Sequence, residues 1–260
     1  MSVFREDALR GQHIVISGGC GAIGLGVVKA LTDHGAVMTV NDVIDAAEAA
    51  DRLAGAGISS EKAAYVRGDL TVPADVDAFL AAAVNRFGKV HTALCHAGMV
   101  LAKPILEYEI ADYDRTMAVN VKSAFLLAQK SAQHMRAEKT AGHLIFTTSW
   151  VANTPWPGIA PYSASKAAMN QLMRSFAREL APDIRANCIA PGIVGVGMAK
   201  RQWDTEPDYR ARASKAIPMG FMQPLDSVAD AFLFLCSPLA NYMTGSILTV
   251  DGGCDLYPMD

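Results

Sequence analysis

The stretch that decides the fold is His13-Ile14-Val15-Ile16-Ser17-Gly18-Gly19-Cys20-Gly21-Ala22-Ile23-Gly24. A short β-branched apolar run ends in a hydroxyl residue and a cluster of glycines, and an amphipathic stretch follows. Gly19, Gly21 and Gly24 match G-x-G-x-x-G. Glycines at this spacing let the backbone turn sharply and approach a pyrophosphate at a helix N-terminus. A glycine-rich β–α turn without a ligand is the bland alternative, but the flanking strand and helix are the context that the nucleotide reading requires. Asp42 closes the next strand, eighteen positions beyond Gly24. An acidic side chain there accepts from a ribose diol and repels a 2′-phosphate. No Lys or Arg stands in the glycine turn or at positions 41 and 43. Both features point to NAD rather than NADP.

Working outward, the same alternation continues to the end of the chain. Val37–Asn41, Ala63–Arg67, Val90–Cys95, His143–Thr148, Arg185–Ala190 and Ser246–Val250 read as buried strands. Amphipathic patterns predict helices at roughly 23–34, 45–55, 74–87, 112–137, 161–180 and 226–236. Near-continuous apolar strands with intervening helices specify a parallel sheet covered on both faces. With right-handed crossovers this is an α/β, single Rossmann-type doubly wound domain of seven strands, using residues 1–260. No linker, repeat or low-complexity tract divides it.

Composition agrees. Of 260 residues, 51% are hydrophobic and 19% charged, enough apolar surface for a packed core. The 23 basic and 26 acidic residues balance to −3, which argues against nucleic acid as a partner. Five scattered cysteines form no CxxC pair, so no metal site or disulfide framework is expected, and free thiols suit a reducing compartment. The polar start and the lack of a long neutral apolar run point to a soluble, cytoplasmic protein with no membrane partner.

Over its full length the chain resembles the short-chain dehydrogenase/reductase family. The family's T-G-x-x-x-G-x-G turn stands here as Ser17-Gly18-x-x-x-Ala22-x-Gly24, with Ala22 in place of a glycine and Gly21 one position earlier. Asp69, in Gly68-Asp69-Leu70-Thr71, matches the family's adenine-contacting aspartate. The family's N-N-A-G appears as Cys95-His96-Ala97-Gly98, which keeps the small residues and loses two amide side chains. Pro191-Gly192 matches the segment beside the nicotinamide. Many members carry a threonine where this chain has Val196, leaving backbone groups near Val194 to orient the carboxamide. The resemblance therefore assigns cofactor contacts to Ser17, Gly18, Gly21, Ile23, Gly24, Asp42, Asp69, Leu70, Ala97, Gly98, Tyr162, Lys166, Pro191, Gly192 and Val194.

The catalytic pattern is more complete. Tyr162-Ser163-Ala164-Ser165-Lys166 matches Y-x-x-x-K, Ser149 lies thirteen residues before Tyr162, and Asn120 matches the asparagine of the helical N-x-K segment. Each is weak alone; all four at these spacings behind a nucleotide turn are specific. Residues i and i+4 share a helix face, so the Lys166 ammonium can approach the Tyr162 phenol. A phenol titrates near 10, and bringing it close to neutrality takes roughly 3–4 kcal/mol, which a nearby ammonium and an oxidised nicotinamide can supply. Tyr162 would then take the hydroxyl proton while hydride leaves the same carbon. Ser149 would hold the substrate oxygen, and the resemblance implies that Asn120 holds a water in a relay through Lys166.

The expected activity is NAD-dependent interconversion of a secondary alcohol and a ketone. Cellular NAD is mostly oxidised, which favours the oxidative direction, on a polar substrate such as a sugar, polyol or hydroxy acid. A 3-ketoacyl-type or other carbonyl reductase is the rival, and a non-catalytic dinucleotide-binding regulator is a third reading. Residues 198–222 occupy the family's variable lid and carry Lys200, Arg201, Arg210, Arg212 and Lys215 against Asp204, Glu206 and Asp208. His96, Trp150, Trp156 and Met198 are the candidate substrate contacts. The resemblance also implies a homotetramer, for which Ala167, Ala168, Met169, Leu172, Met173 and Phe176 form a core or an interface face.

Overall fold

The structure, a computed structural model, describes residues 5–256. Seven strands form one parallel sheet in the order β3-β2-β1-β4-β5-β6-β7. They are β1 (His13–Ser17), β2 (Val37–Asp42), β3 (Ala63–Arg67), β4 (Thr92–Cys95), β5 (Gly142–Thr147), β6 (Ile184–Pro191) and β7 (Ile247–Val250). The helices are α1 (Ala22–Asp33), α2 (Ala46–Gly55), α3 (Pro73–Phe87), α4 (Ile110–Met117), α5 (Ser123–Ala137), α6 (Ala160–Leu180), α7 (Gly197–Thr205), α8 (Pro207–Ala216) and α9 (Leu225–Cys236).

Strand alternation assigns the two core layers. Ile14 and Ile16 of β1 pack with Val27, Val28 and Leu31 of α1 and Phe232 of α9. Val15, between them, faces the other layer with Phe79 of α3, Leu127 of α5 and Met169 of α6. Successive side chains of a strand point to opposite faces, so a fully apolar run is what a sheet covered on both sides demands.

Three details depart from the sequence reading. The outer strands β3 and β7 are only partly buried, because each has a neighbour on one side alone. The single helix expected over 112–137 is two helices, α4 and α5, joined by a π-helical turn at Ala118–Lys122. Such turns insert a residue into the helical ladder and concentrate at functional sites. The variable segment carries α7 and α8 over the sheet's C-terminal end. Within α6, Met169 and Met173 belong to the core, leaving Ala168, Leu172 and Phe176 partly exposed. All five cysteines are free, and four are buried. Among the described residues no helix is long and apolar enough to cross a membrane.

The opposite end of the sheet holds a group of neutral histidines. His13 Nδ1 contacts the Gly88 carbonyl at 3.0 Å and Nε2 the Thr39 hydroxyl at 2.9 Å, while His91 Nδ1 accepts the His13 N–H at 3.0 Å. On β5, His143 Nδ1 accepts from Arg185 at 3.3 Å. Burial pulls His13 and His91 below their ordinary value, and burial with the Arg185 charge takes His143 down to about 3. The unfolded chain binds protons on these rings near pH 6.5 and the native chain resists them, so stability falls as pH drops below that point. The thermal midpoint is expected to decline steadily from pH 6.5 towards 4. His143→Gln is expected to flatten that decline while lowering the midpoint at pH 7, and scanning calorimetry across pH checks both.

Candidate active site

A cavity of about 1040 Å³ runs along the C-terminal ends of the strands. It brings together most of the residues singled out from the sequence. Gly18, Gly21 and Ile23 line one stretch, Asp42, Asp69 and Leu70 the far end, and His96, Ala97 and Gly98 the floor. Ser149, Trp150, Trp156, Tyr162, Gly192, Val194 and Met198 close the other end. Ser17, Gly24, Asn120, Lys166 and Pro191 stand behind that lining and shape it.

The glycine turn is built for close approach. Gly18 has φ +67°, and a Cβ there would meet Ala97 Cα at 2.8 Å. The Ser17 hydroxyl accepts the N–H groups of His96 and Ala97, both at 3.0 Å, which binds the end of β1 to the end of β4. α1 starts from Gly21 with no side-chain cap, so its first N–H groups remain available. An uncapped helix N-terminus facing a glycine cradle fits a pyrophosphate. Ala22 is the first residue of α1, so the shifted glycine leaves the helix start intact.

At the far end, Asp42 uses one carboxylate oxygen for Cys20 N–H at 3.2 Å and the other for Val43 N–H at 2.8 Å. Each oxygen keeps a lone pair for a ribose hydroxyl. Beside it lies Arg52, which the sequence reading missed. Its guanidinium donates to the Cys20 carbonyl at 3.1 Å and pairs with Glu48 at 2.5 Å. Arg52 sits ten residues beyond Asp42, and only the packing of α2 against the glycine turn brings it into the cavity wall. Asp69 caps its own turn, accepting Thr71 N–H at 3.0 Å.

At the catalytic end, Lys166 is almost completely buried and donates to the Thr147 carbonyl at 2.8 Å. Its ammonium lies 5.4 Å from the centre of the Tyr162 ring. Burial pulls Lys166 down to about 8. Burial also pushes the Tyr162 phenol up, and its hydrogen bond with Ser149 offsets part of that rise. The lowering expected from sequence counts the charge of an oxidised nicotinamide as well as that of Lys166, so this rise belongs to the protein by itself. Desolvation penalises the phenolate, so the protein alone holds Tyr162 as the neutral acid. Asn120 lies in the π-helical turn. Its carboxamide oxygen accepts Met99 N–H at 2.8 Å, and its amide donates to the Met99 carbonyl at 3.0 Å and the Ser165 hydroxyl at 2.9 Å. That side chain pins the loop after Gly98 and is not part of the cavity lining.

The remaining wall is aromatic and aliphatic. Trp150 meets Trp156 edge-on at 5.4 Å between ring centres, and Trp156 meets Tyr209 of α8 at 6.3 Å. Arg212 stacks its guanidinium on Trp156 at 5.0 Å. Ile159, Met198 and Gln202 complete this side. Tyr209 and Gln202 went unremarked in a segment whose charges dominate the sequence. The C-terminal turn anchors the tryptophan loop: Asp255 accepts from Asn153 Nδ2 at 2.7 Å and from the Thr154 hydroxyl at 3.0 Å. Among the described residues no group of His, Cys, Asp or Glu is arranged to hold a metal ion.

Comparison with known proteins gives consistent relatives. The family model described as Enoyl-(Acyl carrier protein) reductase matches residues 19–255. The chain is 32% identical over 253 residues to 3beta-hydroxysteroid dehydrogenase 1 of Eggerthella lenta, covering 97% of each chain. It is 34% identical over 250 residues to Short-chain dehydrogenase reductase 5 of Arabidopsis thaliana, covering 94% of this chain and 95% of that one. Among solved structures, a short-chain type dehydrogenase/reductase from Mycobacterium marinum aligns with a TM-score of 0.86 at 31% identity, covering 99% of this chain and 100% of that one. A protein from Brucella melitensis described as SDR:Glucose/ribitol dehydrogenase aligns with a TM-score of 0.83 at 28% identity, covering 96% and 99%.

The Asp255 anchor has a direct consequence. Asp255→Ala removes two side-chain hydrogen bonds to the tryptophan loop and is expected to cost about 1–2 kcal/mol, since the pair is only partly buried. Intrinsic tryptophan fluorescence is expected to shift as Trp150 and Trp156 gain water, and thermal denaturation measures the stability loss.

Proposed function

The chain belongs to the short-chain dehydrogenase/reductase family, and on that premise we propose that it interconverts a secondary alcohol and a ketone with NAD(H). One observation carries this reading: a single cavity has a glycine cradle and Asp42 at one end and the Tyr162–Ser149 pair, backed by Lys166, at the other. The bound dinucleotide would supply the hydride acceptor. Gly18, Gly21, Ile23 and the start of α1 would hold its pyrophosphate, Asp42 a ribose, Asp69 and Leu70 the adenine end, and Gly192 and Val194 the nicotinamide end. Tyr162 would move the proton, Ser149 would orient the substrate oxygen, and Lys166 would bring positive charge to the phenol. Because burial favours the neutral phenol, a second cation beside Lys166 is needed before Tyr162 can act as a base.

For the substrate, the wall supports a different choice from the polar alcohol expected from sequence. Trp150, Trp156, Ile159, Met198 and Tyr209 offer ring faces and aliphatic surface, which suit a carbinol carbon attached to an apolar ring or chain. The resemblance to a 3beta-hydroxysteroid dehydrogenase supports the same choice. Reduction of an acyl-chain ketone is the second reading, favoured by the description of the matching family model. NAD is preferred because Asp42 faces the cavity and Arg52 is already paired with Glu48. The partly exposed Ala168, Leu172 and Phe176 on α6 support a homotetramer, and the free thiols support a cytoplasmic location.

Incubation with NAD and a panel of ring alcohols, long-chain alcohols, polyols, sugars and hydroxy acids is expected to produce NADH with the apolar members. Failure with every alcohol, and with the matching ketones and NADH, overturns the proposal. Tyr162→Phe is expected to reduce turnover by about 10³-fold or more while NADH still binds. Asp42→Ser is expected to raise kcat/KM with NADP and lower it with NAD, which steady-state kinetics with both dinucleotides measures.

A further inference from the structure

His96 lines the cavity floor, and it also lies between the glycine turn and the catalytic lysine. Its backbone N–H donates to Ser17 Oγ at 3.0 Å. Its imidazole Nδ1 meets the Thr147 hydroxyl at 3.0 Å, and the Thr147 carbonyl receives the Lys166 ammonium at 2.8 Å. Phe232 of α9 meets the ring edge-on at 6.1 Å between centres, which fixes its plane. The Thr147 hydroxyl has no other partner among the described residues; in the tautomer that gives its proton an acceptor it donates to Nδ1, and the neutral ring carries its own proton on Nε2.

We propose that His96 is a positioning residue for Lys166: its imidazole holds Thr147 at the end of β5, and Thr147 in turn holds the ammonium beside Tyr162. The proposal rests on the catalytic reading above and extends it to a residue that acts through Lys166. The geometry depends on a neutral imidazole, because a protonated Nδ1 can no longer accept the Thr147 hydroxyl. Two effects keep it neutral. Burial and the Lys166 charge, the one ionised group acting on it, pull His96 down to about 4. An asparagine places its Oδ1 close to where histidine carries Nδ1, so His96→Asn retains an acceptor for Thr147, whereas His96→Leu fills similar space with none.

His96→Leu is expected to lower kcat by about tenfold, the size of one buried hydrogen bond, with the KM for NAD little changed. The Lys166 titration, followed by the ¹³Cε signal of labelled lysine, is expected to move to lower pH, since a loosened carbonyl contact no longer favours the ammonium. The alkaline limb of the kcat profile should move with it. His96→Asn is expected to restore kcat and the titration. Thr147→Val should reproduce the loss, and the double variant should be no worse than either single one, because both remove the same contact. Wild-type kcat, pH profile and Lys166 titration in His96→Leu would overturn the proposal, as would losses that multiply in the double variant. A wild-type protein with no turnover on any alcohol or ketone sinks the catalytic reading instead; the Lys166 titration in the variants then decides the role of His96 without it.

Discussion

The Ser17 hydroxyl holds the functional end of the molecule together. In the order β3-β2-β1-β4-β5-β6-β7, β1 and β4 are neighbours, but the chain leaves them in opposite directions. A crevice must open where such strands part, and ligands of open α/β sheets lie there. Two amide groups beyond β4 reach back to Ser17 and close the seam from below. Ala97 is thereby drawn so near to Gly18 that no side chain fits between them. From that seam, the cradle extends over β2 and β3 and the catalytic group over β5 and α6. β6 and β7 complete the base, where a Cβ at Gly192 would strike the Asp251 backbone at 2.6 Å.

The same dryness that gives the site its shape sets its electrostatics. Lys166, Tyr162 and His96 all move towards their neutral forms because burial removes the water that would solvate their charges. A lysine held near 8 and a phenol held protonated describe a resting site poised to receive positive charge. In the proposed reading, the nicotinamide of the bound dinucleotide would bring that charge. The site is thus tuned by desolvation first and by its pairwise contacts second.

Much of the architecture was legible along the chain. Near-continuous apolar runs and the glycine turn specify a buried parallel sheet, and the Ser149, Tyr162 and Lys166 spacings anticipate one locus. Asn120 was legible as a motif member but not as a clamp. Its partners at Met99 and Ser165 are distant in sequence, and a π-helical turn has no signal in a helical repeat. Arg52 and Tyr209 escaped notice for a related reason, since each is an ordinary surface residue by its neighbours in sequence. The lid's charges drew attention to polar substrates; most of those side chains face solvent, and of the lid's apolar groups Tyr209, Ala213 and Ile217 are buried while Met198, Met219 and Phe221 are exposed.

The sequence by itself determined the fold class, the position of the glycine turn and the candidate residues Ser149, Tyr162 and Lys166. Local backbone preference and hydrophobic period are encoded residue by residue, and the i, i+4 relation of Tyr162 and Lys166 follows from one helix. The tertiary structure alone decided the protonation bias of those groups, the aromatic wall formed by Trp150, Trp156 and Tyr209, and the chain of contacts from Ser17 through His96 and Thr147 to Lys166. Burial and contact between distant segments are properties of the packed whole. No local pattern records how much water a side chain keeps once three loops have closed over it.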